Sequence, residues 1–136
     1  MAIYGVKINC SMLKVQSFKT LVPSAGYTGG QMLKINDTIG IIIPPLGVSG
    51  GGSAAPAIDA GENCAFAYRA PIVTVPCEAA TTGSYLPGAK VYFNATLAEI
   101  TETASGNDLC GTVYESPALG ATECVIDFDG RLALVS

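Results

Sequence analysis

From Gly83 to Asp129 the sequence reads as a succession of β-segments, each closed by turn chemistry, and this constrains the fold more than any other feature. Ala89 to Asn94 alternates small or aromatic residues with polar ones. Leu97 to Thr103 alternates again, and Asn107-Asp108 opens a turn into the apolar run Leu109 to Tyr114. The same hairpin is announced earlier in the chain. Gly30 is followed after five residues by Asn36-Asp37-Thr38, and Gly88 after five residues by Asn94-Ala95-Thr96. Each is followed by a strand centred on glycine, Ile39-Gly40-Ile41 and Cys110-Gly111-Thr112, so a short β-module is used twice. Further strands are expected at Cys64 to Ala70 and Ile72 to Val75, punctuated by Pro71 and Pro76 because proline cannot donate to a ladder. A last strand is expected from Glu123 to Leu134, with Cys124, Ile126 and Phe128 on one face and a tight turn at Asp129-Gly130. No segment carries a sustained 3.6-residue amphipathic pattern, and a short turn near Ala79 to Ser84 is the only helical feature expected.

The chain is therefore expected to be all-β: a small single-domain β-barrel or compact β-sandwich built of hairpins, with an extended N-terminal arm over residues 1–22 and the β-domain over 23–136. Residues 44–60 form a Gly/Pro-rich loop containing Gly50-Gly51-Gly52-Ser53. No lysine follows these glycines and no helix pattern begins there, so a phosphate-cradling loop is not the reading.

Composition narrows the function. Only 13% of residues are charged, against about 25% in ordinary soluble domains, while 49% are apolar. A single small barrel cannot hide that much apolar surface. Either its solvent face is built from Ser, Thr, Gly and Ala, or part of that face is covered in an oligomer or on a larger surface. Charge is also unevenly placed: residues 1–36 carry four lysines and no acid, whereas residues 37–136 carry three cations against all eleven acids. A body this acidic argues against nucleic acid as a partner, since phosphate binding needs concentrated Lys and Arg. The longest apolar run, Ile39 to Val48, is too short for a membrane span and contains Pro44-Pro45. The N-terminus lacks the pattern of a signal peptide, so synthesis in the cytoplasm with reduced cysteines is expected.

Five cysteines (Cys10, Cys64, Cys77, Cys110 and Cys124) cannot all pair internally, and none falls in a C-x-x-C spacing. They read as core or interface thiols; zinc is the lesser alternative, and the absence of histidine removes the usual mixed sites. That absence also removes the commonest general base and every Ser-His or Cys-His pair, so no catalytic residues, cofactor or metal are expected. Asp127 and Asp129 point to one strand face and could form an acid/base pair or hold a cation, although a solvated face ending in a turn is the plainer reading. Tyr27, Tyr68, Tyr85, Tyr92 and Tyr114 read as interface or core anchors.

Five motifs stand in a telling order: Ala25 to Gly30; Thr38 to Ile41; Gly61 to Ala70 feeding Ile72 to Pro76; Pro87 to Phe93; and Gly106 to Val113. In that order and spacing they resemble the small tailed-phage capsid cement, or head-decoration, proteins over about residues 20 to 134. The sequence departs from many members at Phe93, where a Trp is expected, at Cys77, where a Lys is expected, and in the inserted loop Pro44 to Pro56. The resemblance implies a non-enzymatic structural protein of the virion, made in the host cytoplasm, that binds the exterior of an assembled capsid. Its implied partners are the major capsid protein and further copies of itself as a homotrimer, with neither nucleic acid nor membrane. The arm residues Tyr4, Val6, Lys7, Ile8 and Met12 are expected to contact the shell, the arm being mobile until docked. Ile72, Val73, Val75 and Tyr92 are expected at an oligomer or core contact. The rival readings are a carbohydrate- or peptide-binding β-module using the 44–60 loop, and, more weakly, a hydrolase relying on acidic residues alone.

Overall fold

A computed structural model describes residues 3–11, 14–21, 26–43, 57–58 and 63–135. The strands are β1 (Lys7–Ile8), β2 (Gln16–Leu21), β3 (Tyr27–Thr28), β4 (Met32–Ile35), β5 (Thr38–Ile43), β6 (Ala57–Ile58), β7 (Asn63–Pro76), β8 (Lys90–Asn94), β9 (Glu99–Thr101), β10 (Asp108–Glu115) and β11 (Glu123–Asp129). A 3-10 helix, η1 (Gly130–Val135), follows. Nine strands form one sheet whose main path runs β4-β5-β7-β11-β10-β8-β9, with β1 and β2 added to β7, while β3 and β6 pair separately. The fold is all-β, as the alternating pattern requires, and the sheet curls into a half-barrel.

β7 is the spine. Ala67 lies between Ser17 of β2 and Ile41 of β5; Arg69 lies between Gln16 of β2 and Asp129 of β11; Thr74 lies between Lys7 of β1 and Val125 of β11. One edge of β7 therefore carries β5 and then β11, and the other carries β2 and then β1. The sequence suggests two strands broken at Pro71, but the structure runs one 14-residue strand through it. Two features make this possible. Register shifts between Ala70 and Val73, so that Pro71 and Ile72 bulge opposite Asp127. On the opposite edge Pro71 falls between Gln16, the first residue of β2, opposite Arg69, and Ile8, the last residue of β1, opposite Val73, where no donor is required.

Segments beyond the ladder join the curl. At one side Cys77 bridges Ile100 of β9, and the Glu78 N–H donates to the Ile100 carbonyl at 2.9 Å. At the other, Ile3 and Met32 exchange backbone hydrogen bonds of 2.8 and 2.7 Å, and the Val6 N–H donates to the Gly30 carbonyl at 3.0 Å. Gly5, with φ +77°, turns the chain between them so that Ile3 and Val6 can both enter the core. Residues 3–9 thus form a strap from β4 to β7, packed against the body rather than standing free of it.

The main core gathers Ile3, Met32, Ile39, Ile41, Val73, Val75, Val91, Ile100, Ile126 and Phe128. A second, smaller cluster (Ile42, Cys64 and Phe66, covered by Tyr27, Leu33 and Ile35) is separate from it. The two strand-centre glycines of the repeated module are both needed for close approach. A Cβ on Gly40 would stand 2.5 Å from the Phe66 ring, and one on Gly111 would collide with the Asp127 carbonyl oxygen. The last strand stops at Asp129 rather than Leu134. There Gly130 passes so near the Ile39 backbone that only a glycine fits, and η1 begins. Thr81 to Ser84 is a hydrogen-bonded turn, with the Ser84 N–H donating to the Thr81 carbonyl at 3.1 Å. Among the described residues no helix is long and apolar enough to cross a membrane.

Candidate docking surfaces

The strap and its edge hold the residues expected to meet a shell. Tyr4 and Lys7 are exposed, Ile8 is half-buried against the main core, and Val6 is buried in it. Val6 thus anchors the strap from inside, while Tyr4 and Lys7 face outward. Met12 lies outside the described residues, as does the 44–60 loop apart from Ala57 and Ile58. Val73 and Val75 sit in the core, and Ile72 and Tyr92 are half-buried. The structure does not bring the arm residues and Tyr92 to one surface patch: Tyr92 pairs with Leu109 and Thr101 in the β8–β9–β10 part of the sheet.

One surface was not anticipated from the sequence. Phe18 of β2 pairs with Phe66 of β7, so both side chains rise from one sheet face. Their ring centroids lie 5.1 Å apart, Phe18 stacks on Tyr68 at 5.8 Å, and the Arg131 guanidinium covers Tyr68 at 5.2 Å from its centroid. A cleft of about 270 Å³ opens beside this column, lined by Ser17, Phe18, Thr38, Tyr68 and Arg131. Phe18 remains 44% exposed, and Lys19, next to it on β2, is exposed on the opposite face of the sheet. Lys34 and Arg69 are ion-paired, to Asp108 (3.1 Å) and Asp127 (2.5 Å); Lys14, Lys19 and Arg131 have no such partner among the described residues. The period-2 spacing of Phe66 and Tyr68 was the available signal, but Phe18 joins them only through the β2–β7 register.

The opposite end of the half-barrel, where β7 and β10 end and β8 and β11 begin, exposes Leu86, Tyr114 and Leu119, the last at 74%. It is rigidly built. Tyr85 is buried with a left-handed φ of +52°, its N–H donates to Glu102 Oε1 at 2.8 Å, and its carbonyl accepts from Ser116 Oγ at 2.9 Å. Gly120 N–H donates to the Ala80 carbonyl at 2.8 Å, tying the two loops together. Glu78, Glu102, Glu115 and Glu123 are exposed around it.

The remaining polar groups serve the fold. Asp127 holds Arg69, whose guanidinium also donates to the Phe128 carbonyl at 2.9 Å, and Asp129 accepts from the Arg131 N–H at 3.1 Å. The two carboxylates proposed as a pair are thus each engaged by a cation or a turn. A cleft of about 520 Å³ lined by Glu78, Asn94, Glu99, Thr101 and Asn107 is likewise self-satisfied. Thr101 Oγ1 donates to Glu78 at 2.7 Å, Asn94 Oδ1 accepts from the Thr96 and Leu97 N–H groups, and Asn107 donates to the Thr103 carbonyl. All five cysteines are free, four of them buried. Burial, with Glu99 adding to it, pushes the Cys77 thiol up to about 11, and burial beside Cys77 pushes Cys124 up to about 12. Burial raises the Cys110 thiol as well. Such thiols stay protonated at neutral pH, which makes them packing groups rather than nucleophiles.

Among the described residues the buried polar groups serve the body's own turns, and the distinctive surface features are exposed apolar and charged patches. A family model described as phage cement protein matches residues 15–128, and the chain belongs to that family of structural, capsid-associated proteins. No curated protein and no solved structure matches it. The strap, residues 3–9, precedes the matched region.

Proposed function

We propose that this protein binds the outer surface of an assembled phage capsid as a homotrimer, engages the major capsid protein, and stabilises the shell without catalysing a reaction. The observation that carries the reading is the family match over most of the chain. It is supported by a surface with few charges and several exposed large apolar groups, which is suited to being covered. The strap edge, with Tyr4 and Lys7 outward and Ile3 and Val6 anchored in the core, is the element proposed to meet the shell. Each contact is modest, and a closed oligomer engaging several shell subunits multiplies them through effective concentration.

The test is to add purified protein to capsids lacking it and measure co-sedimentation together with the internal pressure or temperature at which capsids rupture. Saturable binding with a raised rupture threshold is expected. Binding without any change in rupture threshold would remove the stabilising role. Tyr4→Ala with Lys7→Ala should weaken binding at least tenfold while leaving the fold intact.

A further inference from the structure

We propose that the cleft beside Phe18 and Tyr68 is a carbohydrate site that takes one neutral pyranose ring, stacked on Phe18 and hydrogen-bonded from the rim. The sheet gathers its parts on one face. Phe18 of β2 lies opposite Phe66 of β7, Phe66 lies opposite Ile42 of β5, and the period of two then brings Tyr68 and Thr38 to the same face. Ser17 would fall on the other face by that alternation, but the β2–β7 register shifts between Gln16 and Ser17, and Ser17 lines the cleft. Gly40 stands between Thr38 and Ile42 without a side chain, so the Phe66 ring lies over that gap and Phe18 packs on it, 5.1 Å away. From η1, Arg131 completes the lining, its guanidinium over the Tyr68 ring.

Aromatic surface, polar rim, charge and size together name the ligand. Phe18 keeps 44% of its surface open although it packs against two other rings, and the C–H bonds on one face of a pyranose carry the partial positive charge that an aromatic face attracts. The hydroxyls of Ser17, Thr38 and Tyr68 have no hydrogen-bond partner among the described residues, and each can donate and accept, as sugar hydroxyls require. In the larger cleft at Glu78 and Asn94 the polar side chains are instead bonded within the fold. Arg131 is the one cation of the lining. Asp37, exposed, adjoins Thr38, and the Asp129 carboxylate accepts from the Arg131 N–H, so two carboxylates stand near that guanidinium. A phosphate or a uronate would be repelled there, whereas a neutral sugar is not. The cleft of about 270 Å³ is smaller than the roughly 300–1,000 Å³ of sites that enclose a drug-sized ligand, which suits a single ring rather than a peptide segment. Stacking already holds the rings, so binding has little to order.

Titration of the isotope-labelled protein, followed by amide chemical shifts in NMR, tests this with the methyl glycosides of glucose, galactose, mannose and N-acetylglucosamine. Glucuronate and hexaproline serve as the anionic and peptide comparators. At least one glycoside should bind in the millimolar range, with the largest shifts at Ser17, Phe18, Thr38, Tyr68 and Arg131. Phe18→Ala should weaken that binding at least tenfold. Tyr68→Phe, which keeps the ring stack and removes only the hydroxyl, should weaken it about threefold with unchanged circular dichroism. Leu119→Ser, at the far end of the sheet, should leave it unchanged. Retention on beads of dextran, galactan or mannan would assign the ring to a glycan, and glycoside binding without retention would assign it to a free sugar; either upholds the site. No binding of any glycoside up to several hundred millimolar, shifts centred away from the cleft, Tyr68→Phe and Phe18→Ala both binding like the wild type, or tighter binding of glucuronate or hexaproline than of every glycoside would each overturn the proposal. The titration uses the protein without capsids, so its outcome is independent of the cement role.

Discussion

Replacing Ile3 by alanine distinguishes a strap that is part of the core from an arm that merely hangs beside it. Ile3 has no exposed surface and lies in the main cluster with Met32, Ile39 and Ile41. The substitution removes three carbons, worth about 2.4 kcal/mol at about 0.8 kcal/mol per buried methylene group. A residual cavity can raise the cost of such a truncation to about 5 kcal/mol where the surroundings cannot relax. Here the strap can shift, because among the described residues the Ile3 backbone is held only by its two bonds to Met32, and the chain reaches β7 through a left-handed glycine. The expected loss is therefore about 2–3 kcal/mol, a large fraction of the 5–15 kcal/mol typical of a domain. Urea unfolding followed by circular dichroism would show it as a lower midpoint at unchanged slope. Tyr4→Ala is the control, since that side chain is exposed and should change stability by less than about 0.5 kcal/mol. If Ile3→Ala behaves like Tyr4→Ala, the strap is not part of the core and this account of its anchoring is wrong.

Other consequences can be checked on the same material. Gly111→Ala should cost about 1–3 kcal/mol in urea titration, because its new Cβ meets a backbone carbonyl that cannot rotate away; a neutral result would mean the β10–β11 spacing is slack. Stability should hold up to about pH 9 and fall as pH rises toward about 12. The folded thiols of Cys77 and Cys124 keep protons that the unfolded chain releases above its ordinary value of 9.0, so the unfolded state is favoured across that window. Unfolding midpoints measured at pH 8, 9.5 and 10.5 should decline, and Cys124→Ala should flatten the decline; a flat wild-type profile would contradict it.

Much of this fold was legible because it is local. Cys124, Ile126 and Phe128 alternate with exposed or half-buried neighbours, and that period alone places β11 correctly up to Asp129. The two copies of the suggested module agree at their entries, where Gly30 and Gly88 both adopt left-handed φ, but Gly40 lies on β5 directly after its turn whereas Gly111 lies on β10, one strand beyond β9. Its glycine strand centres are used differently, one under the Phe66 ring and the other against the Asp127 backbone, and no sequence pattern distinguishes those cases. What escaped depends on distant partners. Pro71 looks like a strand end until the gap between β1 and β2 is known. Ile3 and Val6 look like an exposed extended arm until Gly5 turns them toward Met32 and Gly30. Phe18 has no local signal at all, because its role is set by a register with a strand almost fifty residues away.

The most direct test of the cement role is occupancy on the particle itself. Capsids assembled without this protein, mixed with increasing amounts of it and imaged by cryo-electron microscopy, should acquire ordered density at one class of outer-surface symmetry site, saturating at a fixed number of copies. Capsids that remain bare at saturating concentration, or density confined to the inner surface, would contradict the account.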